Sequence, residues 1–326
     1  MPKCSMKTRI LQLRVITCLF SILCLKAFIH LFTTYGIYNY PHLPADVLET
    51  QLYKRTVPGL VLHKSKPDCK YDEILESTSS LQNWEVPKKF DDFSAKGIVN
   101  GTYLPEDCNP TISVAIIVAY RNRQSQLDVF LPYMHNFLRK QKIHYRLYLV
   151  EQQDEKAFNK GMLLNVGARA ALRDRFPCLV LQDVDLLPLD AGNLYACTAE
   201  PRHLSASIDK FRFVLPYEYL AGGVLAITAD QYVAVNGFSN RFEGWGGEDD
   251  DFSWRLRYHK LNIVRFPRQL SRYTMLRHRQ ETRNSQRGRI LRENRQRAPA
   301  DGLSSLPRGG ASLSAHRLFT RVGVRL

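Results

Sequence analysis

Apolar positions along this chain follow two alternating patterns. Residues 113–119 form a short, β-branched, almost wholly apolar run, which predicts a buried strand that stops at Tyr120-Arg121-Asn122-Arg123. Leu127, Leu131, Met134 and Leu138 then recur at spacings of four and three, which predicts a helix, and Pro132 inside it predicts a kink or a late start. Residues 145–150 alternate and are rich in β-formers, 162–172 read as a second helix, and 178–182 as a third strand. Strand, helix, strand, helix, strand is the signature of an α/β fold with a largely parallel sheet. In such sheets ligands bind beyond the carboxyl ends of the strands. That rule singles out Arg121 to Arg123 after the first strand and Asp183-Val184-Asp185 after the third.

The pattern is weaker at both ends. Residues 38–110 carry many Pro, Lys and Asp with little periodicity, so they read as a stem and lead-in, and the compact domain is expected over 111–306. Residues 307–326, with Gly309-Gly310 and Ser312 and Ser314, look like an irregular tail. At the other end Lys3, Lys7, Arg9 and Arg14 precede the apolar run 15–25, a bias that predicts a cytoplasmic segment 1–14. The run is short for a span of ~20 apolar residues, because Lys26 and His30 interrupt it before 31–37. A cleaved signal peptide is the rival, but no small-x-small site follows Leu25. The preferred reading is a single-pass anchor over 15–37 with a luminal body, short enough to leave room for a membrane partner protein.

Composition sharpens this picture in two places. The chain has 326 residues, 44% apolar, enough for a real core, and a formal net charge of +15. All of the excess lies from Ser253 onward, with 18 Lys/Arg against 3 Asp/Glu, so it is not a property of the whole domain. The basic stretch 279–297 has no aromatic residue for base stacking, which argues against nucleic acid and for a solvated basic loop. Of seven cysteines, Cys4, Cys18 and Cys24 fall in the tail and anchor. Cys69, Cys108, Cys178 and Cys197 remain, an even set suited to an oxidising lumen. They allow three pairings, of which Cys69–Cys108 with Cys178–Cys197 closes the shortest loops. There is no CxxC spacing for zinc. Asn100-Gly101-Thr102 is a sequon for N-glycosylation.

Three segments could carry chemistry. Asp183-Val184-Asp185 puts two carboxylates one residue apart after an apolar strand, where they can converge on a hard cation that also holds phosphate oxygens. The same pattern also occurs in turns where an Asp caps backbone amides. In Trp245-Gly246-Gly247-Glu248-Asp249-Asp250-Asp251, four adjacent carboxylates repel one another. Phe252 and Leu256 predict a following helix, whose dipole favours acids at its start, yet one or two would serve for that. Four behind a Trp and two glycines suit a movable loop that delivers a general base and binds hydroxyls. In Met275-Leu276-Arg277-His278 the residue types alone select nothing, since a lone His is usually structural and a thioether suits a hard cation poorly.

Taken together these segments resemble the β1,4-galactosyltransferase family, inverting enzymes of GT-A fold with a Rossmann-like nucleotide-sugar domain. The resemblance runs in order through Tyr120-Arg121-Asn122-Arg123, Phe158-Asn159, Leu164-Asn165-Val166-Gly167, Asp183 to Pro188, Pro201-Arg202-His203 and Asp209-Lys210-Phe211. It continues through Gly222-Gly223-Val224, Asn236-Gly237-Phe238, Gly244 to Asp251, Met275 to His278 and Asp301-Gly302-Leu303. It implies a type II Golgi membrane enzyme that binds Mn²⁺ through Asp185, Met275 and His278, with the two disulfides paired as above. It implies that Arg121, Arg123, Phe158 and Asp183 hold the uridine and diphosphate, and that Lys160, Lys210, Leu220, Trp245 and Glu248 complete the donor side. Asp249 would be the base that deprotonates the acceptor hydroxyl, with Gly247 and Asp250 on the acceptor side and Trp245 on a closing loop.

The chain departs from the family at three points. Lys160 stands where the family has an Arg, Glu243 where a Trp is usual, and the stretch after Pro307 fits poorly. The donor turns on a fourth position. Before Gly222-Gly223 the vertebrate galactosyltransferases carry a Tyr that crowds the sugar C2 substituent, and here that position is Leu220, followed by Ala221. The sequence in this respect resembles the invertebrate β1,4-N-acetylgalactosaminyltransferases. UDP-GalNAc is therefore the expected donor and UDP-Gal the alternative, with O4 of a terminal β-GlcNAc on a glycoprotein or glycolipid glycan as acceptor. A non-catalytic luminal glycan-binding or chaperone protein is the rival of another class, disfavoured because Asp249, Asp185 and His278 are all present.

Overall fold

A computed structural model describes residues 6–34, 39–76, 94–278, 282–307 and 309–326. Parts of the expected tail, anchor and lead-in, Cys4 among them, lie outside the described residues. Helix α1 (Met6–Thr34) runs without interruption through Lys26 and His30, and its apolar stretch Arg9–Leu31 has no part buried against the protein. At ~1.5 Å per residue those 23 residues are long enough to cross a hydrocarbon layer of ~30 Å. Helix length, which the short apolar run put in question, is therefore sufficient for an anchor.

The body begins with the short helix α2 (Asp72–Leu75) and the hairpin β1 (Ile98–Val99) and β2 (Thr102–Tyr103). The α/β unit follows as β3 (Ser113–Tyr120), α3 (Gln124–Arg139), β4 (His144–Gln152), α4 (Lys160–Arg173) and β5 (Cys178–Asp183). After it come β6 (Leu186–Pro188), β7 (Arg202–His203), β8 (Ser207–Ile208), β9 (Val224–Thr228), α5 (Ala229–Ala234), α6 (Glu248–Tyr258), β10 (Arg272–Met275), α7 (Arg287–Arg297), β11 (Ala311–Ala315) and β12 (Thr320–Val324). All five elements expected from the apolar pattern are present, each longer by one to four residues. Pro132 neither delays nor ends α3, which starts eight positions before it.

The main sheet runs β1-β2-β4-β3-β5-β9-β7, with β3 parallel to both β4 and β5, and β9 antiparallel to β5. Every residue of β3 is buried, so its two faces serve two cores. Val114, Ile116 and Val118 pack with Phe130, Met134 and Phe137 of α3. Ala115, Ile117 and Ala119 pack with Leu163, Leu164 and Ala168 of α4. The helices thus lie on opposite faces, and the strand order reverses between β3 and β5, which opens a crevice beyond Tyr120 and Asp183. A three-stranded sheet, β6-β10-β8, lies beside it. The disulfides are Cys69–Cys108 and Cys178–Cys197, the latter tying β5 to the chain before β7.

Two expectations about the ends are corrected. Leu48, Leu52, Tyr71, Leu75 and Ile98 belong to the main core, so the domain does not begin at Thr111. The expected tail is equally integral, because β12 lies parallel along β4 while β11 pairs outside it, and Leu318, Val322 and Val324 are buried. The basic stretch expected as a solvated loop contains α7. Strand β4 offers one outer edge, which β2 takes at Tyr145 and Arg146 and β12 takes from Tyr148 to Gln152. The two intruding segments meet at the β1–β2 turn. Asn100 is exposed there, and Gly101 has a positive φ of 73° with no room for a side chain, since a Cβ would lie 2.6 Å from the Phe319 backbone.

His135, fully buried on α3, holds this junction from inside: Nδ1 is 2.9 Å from the Tyr145 hydroxyl and Nε2 is 2.7 Å from the Leu318 carbonyl. Burial pushes its pKa down to about 4. The neutral ring is then the folded form. Its stabilisation is complete above an unfolded pKa of about 6.5 and is lost as pH falls toward the folded value. We expect His135→Phe to cost about 1–3 kcal/mol at neutral pH by stranding the two partners. It should also flatten the decline in stability below about pH 6.5, as read by urea unfolding of the fragment from residue 39 onward at a series of pH values.

Candidate active site

A cavity of about 190 Å³ opens beyond the ends of β3 and β5. Its floor is carboxylate. Asp183 closes β5, paired with Ala119 and with its N–H bonded to the Gly223 carbonyl at 3.1 Å. Asp185 follows after a turn, and β6 and β10 then pair with Met275 opposite Leu186. That pairing, with the Leu276 N–H on the Asp185 carbonyl at 2.7 Å, brings His278 back over the turn. His278 Nδ1 lies 2.9 Å from Asp185 Oδ2, a contact that is the main cause raising its pKa. Asp209 fixes β10 from the side by accepting from the Thr274 hydroxyl at 2.5 Å and the Met275 N–H at 3.0 Å. Asp185, Met275 and His278 all line the cavity.

The opposite wall is built by the starts of two helices. Asn159 caps α4 by accepting from the Met162 N–H at 2.9 Å, which sets Lys160 at the first helical position, pointing inward. Lys160 Nζ is 3.0 Å from Asp183, 3.4 Å from Asp249 and 3.8 Å from Glu248. Burial works against its charge, but Asp183, Asp249 and Glu248 outweigh burial and hold its pKa well above the ordinary value. Burial, opposed by Lys160, raises the Asp183 pKa; burial and the neighbouring Asp249 charge raise that of Glu248. Glu248 Oε2 is buried without a hydrogen-bond partner among the described residues.

The acid run divides its four members among three tasks. Gly247, at φ 102°, starts α6 in a conformation that other residues rarely adopt, and Glu248 and Asp249 then turn into the cavity. Asp249 packs so closely on Gly222 that a Cβ there would lie 2.3 Å from its carboxylate. Asp250 stands exposed outside the cavity lining and accepts from the Tyr217 hydroxyl at 2.7 Å. Asp251 points the other way, buried with Arg255 at 2.7 Å, and Arg255 in turn donates to the Asp301 carbonyl at 2.7 Å. The run is thus split between the cavity, which Glu248 and Asp249 line, the solvent side and the protein interior.

The remaining walls are aromatic and basic. Arg121 stacks on Phe158 at 5.2 Å, and the Phe158 carbonyl accepts from the Gly244 N–H at 2.8 Å, which ties that wall to the loop bearing Trp245. Trp245 is 41% exposed, between the guanidinium groups of Arg283 and Arg287 at 5.5 and 5.7 Å. Arg123 and Lys210 complete the lining. The structure therefore gathers Asp249, Asp183, Asp185, Met275, His278, Arg121, Arg123, Phe158, Lys160, Lys210, Trp245 and Glu248 in one place. Leu220 is outside the lining: its side chain packs with Tyr40, Ala206 and Leu215, and only Ala221 and Gly223 reach the crevice behind Asp249. Gly247 serves the turn. Sequence reasoning missed Tyr217 and the anchoring role of Asp209, both set by partners distant in sequence.

Comparison with known proteins gives a consistent result. The family described as the N-terminal region of glycosyl transferase group 7 matches residues 71–198. The family described as the N-terminal domain of galactosyltransferase matches 202–279. The chain is 40% identical to β1,4-galactosyltransferase 1 of Mus musculus over 284 residues, 85% of this chain and 71% of that one. It is 39% identical to the Homo sapiens protein of the same name over 230 residues, 69% of this chain and 58% of that one. Among solved structures, the catalytic domain of Drosophila β1,4-galactosyltransferase 7 in complex with xylobiose superposes with a TM-score of 0.58 at 26% identity, over 66% of this chain and 94% of that one. A form of the same fly enzyme with manganese, UDP-Gal and xylobiose gives 0.59 at 24% identity.

The division of labour in the acid run is testable. Asp251→Ala leaves the buried Arg255 without its closest partner and is expected to cost about 3–5 kcal/mol. Asp249→Asn removes one of three carboxylates crowded round Lys160 and is expected to leave stability within about 1 kcal/mol. Chemical denaturation of both variants in the absence of ligand measures the difference, and equal losses would overturn the assignment.

Proposed function

The chain belongs to the β1,4-galactosyltransferase family, and on that premise we propose that it transfers a galacto-configured hexose from a UDP-sugar to a sugar hydroxyl with inversion, assisted by Mn²⁺. The observation that carries the proposal is the convergence of Asp249, Glu248 and Asp183 on Lys160 at 3.0–3.8 Å, in a cavity that also holds Asp185, Met275 and His278. Two of the three donors fit the cation, an aspartate oxygen and an imidazole nitrogen that already lie 2.9 Å apart, while the Met275 sulfur, a weak donor for a hard cation, shares their cavity. Among the described residues no cluster of three His, Cys, Asp or Glu offers a competing site. When bound by Asp185, His278 and Met275, Mn²⁺ supplies positive charge to offset that of the departing diphosphate.

The chain's own residues do the rest. Phe158, stacked under Arg121, gives the uracil a flat wall, and Arg121, Arg123 and Lys210 add cationic charge for the phosphates. Glu248, in the cavity lining at the start of α6, accepts from a hydroxyl of the donor sugar. The Asp249 carboxylate takes the proton of the acceptor hydroxyl as that oxygen attacks the anomeric carbon from the face opposite UDP. Lys160 keeps a positive charge beside both Asp249 and Asp183 while this happens. Asp250, held by Tyr217 outside the cavity, orients the acceptor, and the Trp245 segment covers the bound donor.

UDP-Gal is the donor favoured by the names of the relatives. UDP-GalNAc is the second reading, favoured because Leu220 brings no hydroxyl to the approach to Gly222-Gly223; its packing away from the cavity weakens that argument. The acceptor proposed is a terminal β-linked GlcNAc of a glycoprotein or glycolipid glycan. The compartment proposed is the Golgi membrane, with α1 as a type II signal-anchor and the domain in the lumen, where the disulfides persist.

Transfer from UDP-Gal and UDP-GalNAc to a GlcNAc-terminated acceptor should vanish with EDTA and return with Mn²⁺. Asp249→Asn should lower kcat by about 10²- to 10⁴-fold with little change in UDP affinity. Should Asp249→Asn remain active within about tenfold, the base assignment fails. Leu220→Tyr should leave the ratio of the two donors unchanged if the side chain stays packed on Tyr40; a swing toward UDP-Gal would restore the GalNAc reading.

A further inference from the structure

The structure assigns to the last strand a part in the reaction: we infer that residues 320–326 position the nucleotide-binding wall of the cavity, with Asp154 as the link. This rests on the donor site proposed above and names residues outside it. The wall residue Phe158 closes the loop between β4 and α4, a segment with little regular structure of its own. On its inner side the loop is tied to the cavity. Gln152 Nε2 donates to the carbonyls of Lys156 and Ala157 at 3.1 and 3.2 Å, Gln152 Oε1 accepts from the Asn159 N–H at 3.1 Å, and Arg121 donates to the Lys156 carbonyl at 2.5 Å. Arg121 is the same residue that stacks on Phe158, so the height of the loop sets the place of both donor-side groups.

On its outer side the loop is held by β12 and the residues that follow it. Strand β12 stays in register with β4 through Gln152, and the pairing continues past it, with the Gln153 N–H on the Val324 carbonyl at 2.8 Å. Arg321 pairs with Glu151, donating through Nε at 2.5 Å. The closing contact is made by Asp154, whose two oxygens face opposite ways. Oδ1 accepts from the Lys156 N–H and from Gln152 Nε2, both at 3.0 Å, and so folds the loop inward. Oδ2 accepts from the Leu326 N–H at 2.5 Å and so fastens the loop to the strand. Lys156 also donates to the Leu326 carbonyl. One carboxylate therefore couples the last strand to a loop whose other face carries the Arg121–Phe158 pair.

The test exploits the two faces of Asp154. In Asp154→Asn the amide oxygen can keep the Oδ1 bonds while the amide NH₂ meets the Leu326 N–H donor to donor, which breaks only the link to the strand. With the full chain, Mn²⁺, UDP-sugar and a GlcNAc acceptor, Asp154→Asn is expected to raise KM for the UDP-sugar about fivefold to tenfold, the size of one hydrogen bond. It should leave kcat and the acceptor KM within about twofold. Arg321→Ala, which loosens the strand from β4 without touching the loop, should move the same constant in the same direction. Calorimetric binding of UDP with Mn²⁺ reads the same shift without turnover. If the chain transfers no sugar but UDP affinity falls in the variants, the proposed function fails and the positioning role stands. An unchanged UDP affinity, or equal losses in kcat and both KM values alongside a lower Tm, would overturn the positioning role.

Discussion

One buried cation makes this site possible. Three carboxylates, Asp183, Glu248 and Asp249, come from the end of a strand and the start of a helix, and without a counter-charge their crowding in a partly dry cavity would force protons onto them. Lys160 sits between all three at 3.0–3.8 Å. Its place is fixed by a local device, the Asn159 cap of α4, and by a global one, the crossing of α4 behind the β3–β5 crevice. Lys160 opposes the upward shift that burial imposes on Asp183 and Glu248, and an ammonium suits the task because a single point charge can face three partners at different angles.

The same economy governs the acid run on α6. Adjacent positions on a helix point about 100° apart, so four consecutive carboxylates cannot share one environment. Glu248 and Asp249 face the cavity, Asp250 faces solvent and Tyr217, and Asp251 faces Arg255 in the protein interior. The inward salt bridge fixes the rotation of the helix about its own axis, and the chemistry at its start inherits that orientation.

Much of this was legible from the amino-acid sequence. The strands β3, β4 and β5 and the helices between them announce themselves because each is long, apolar and locally periodic, and the crevice follows from their order. Met275 lies in the cavity lining, a placement its residue type does not foretell, and its proposed role toward the cation rests on resemblance alone. The lead-in and the last strand were illegible for another reason. β2 and β12 are two and five residues long and gain their order from the edge of β4, a partner tens to well over a hundred positions away. Leu220 failed for a similar cause: gapless alignment places its backbone, but Tyr40 and Leu215 decide where its side chain goes.

The shared edge of β4 also orders events in time. Its pairing with β12 joins residues such as Glu151 and Arg321, 170 positions apart. The contacts among β3, β4, β5 and their helices are nearer in sequence and are expected to form first. During that interval half of the β4 edge stands open, a template for any strand that arrives first. The β4 edge is closed only once β12 has docked, so a change that loosens β12 would expose the backbone groups of Tyr148 to Gln152 to any competing strand.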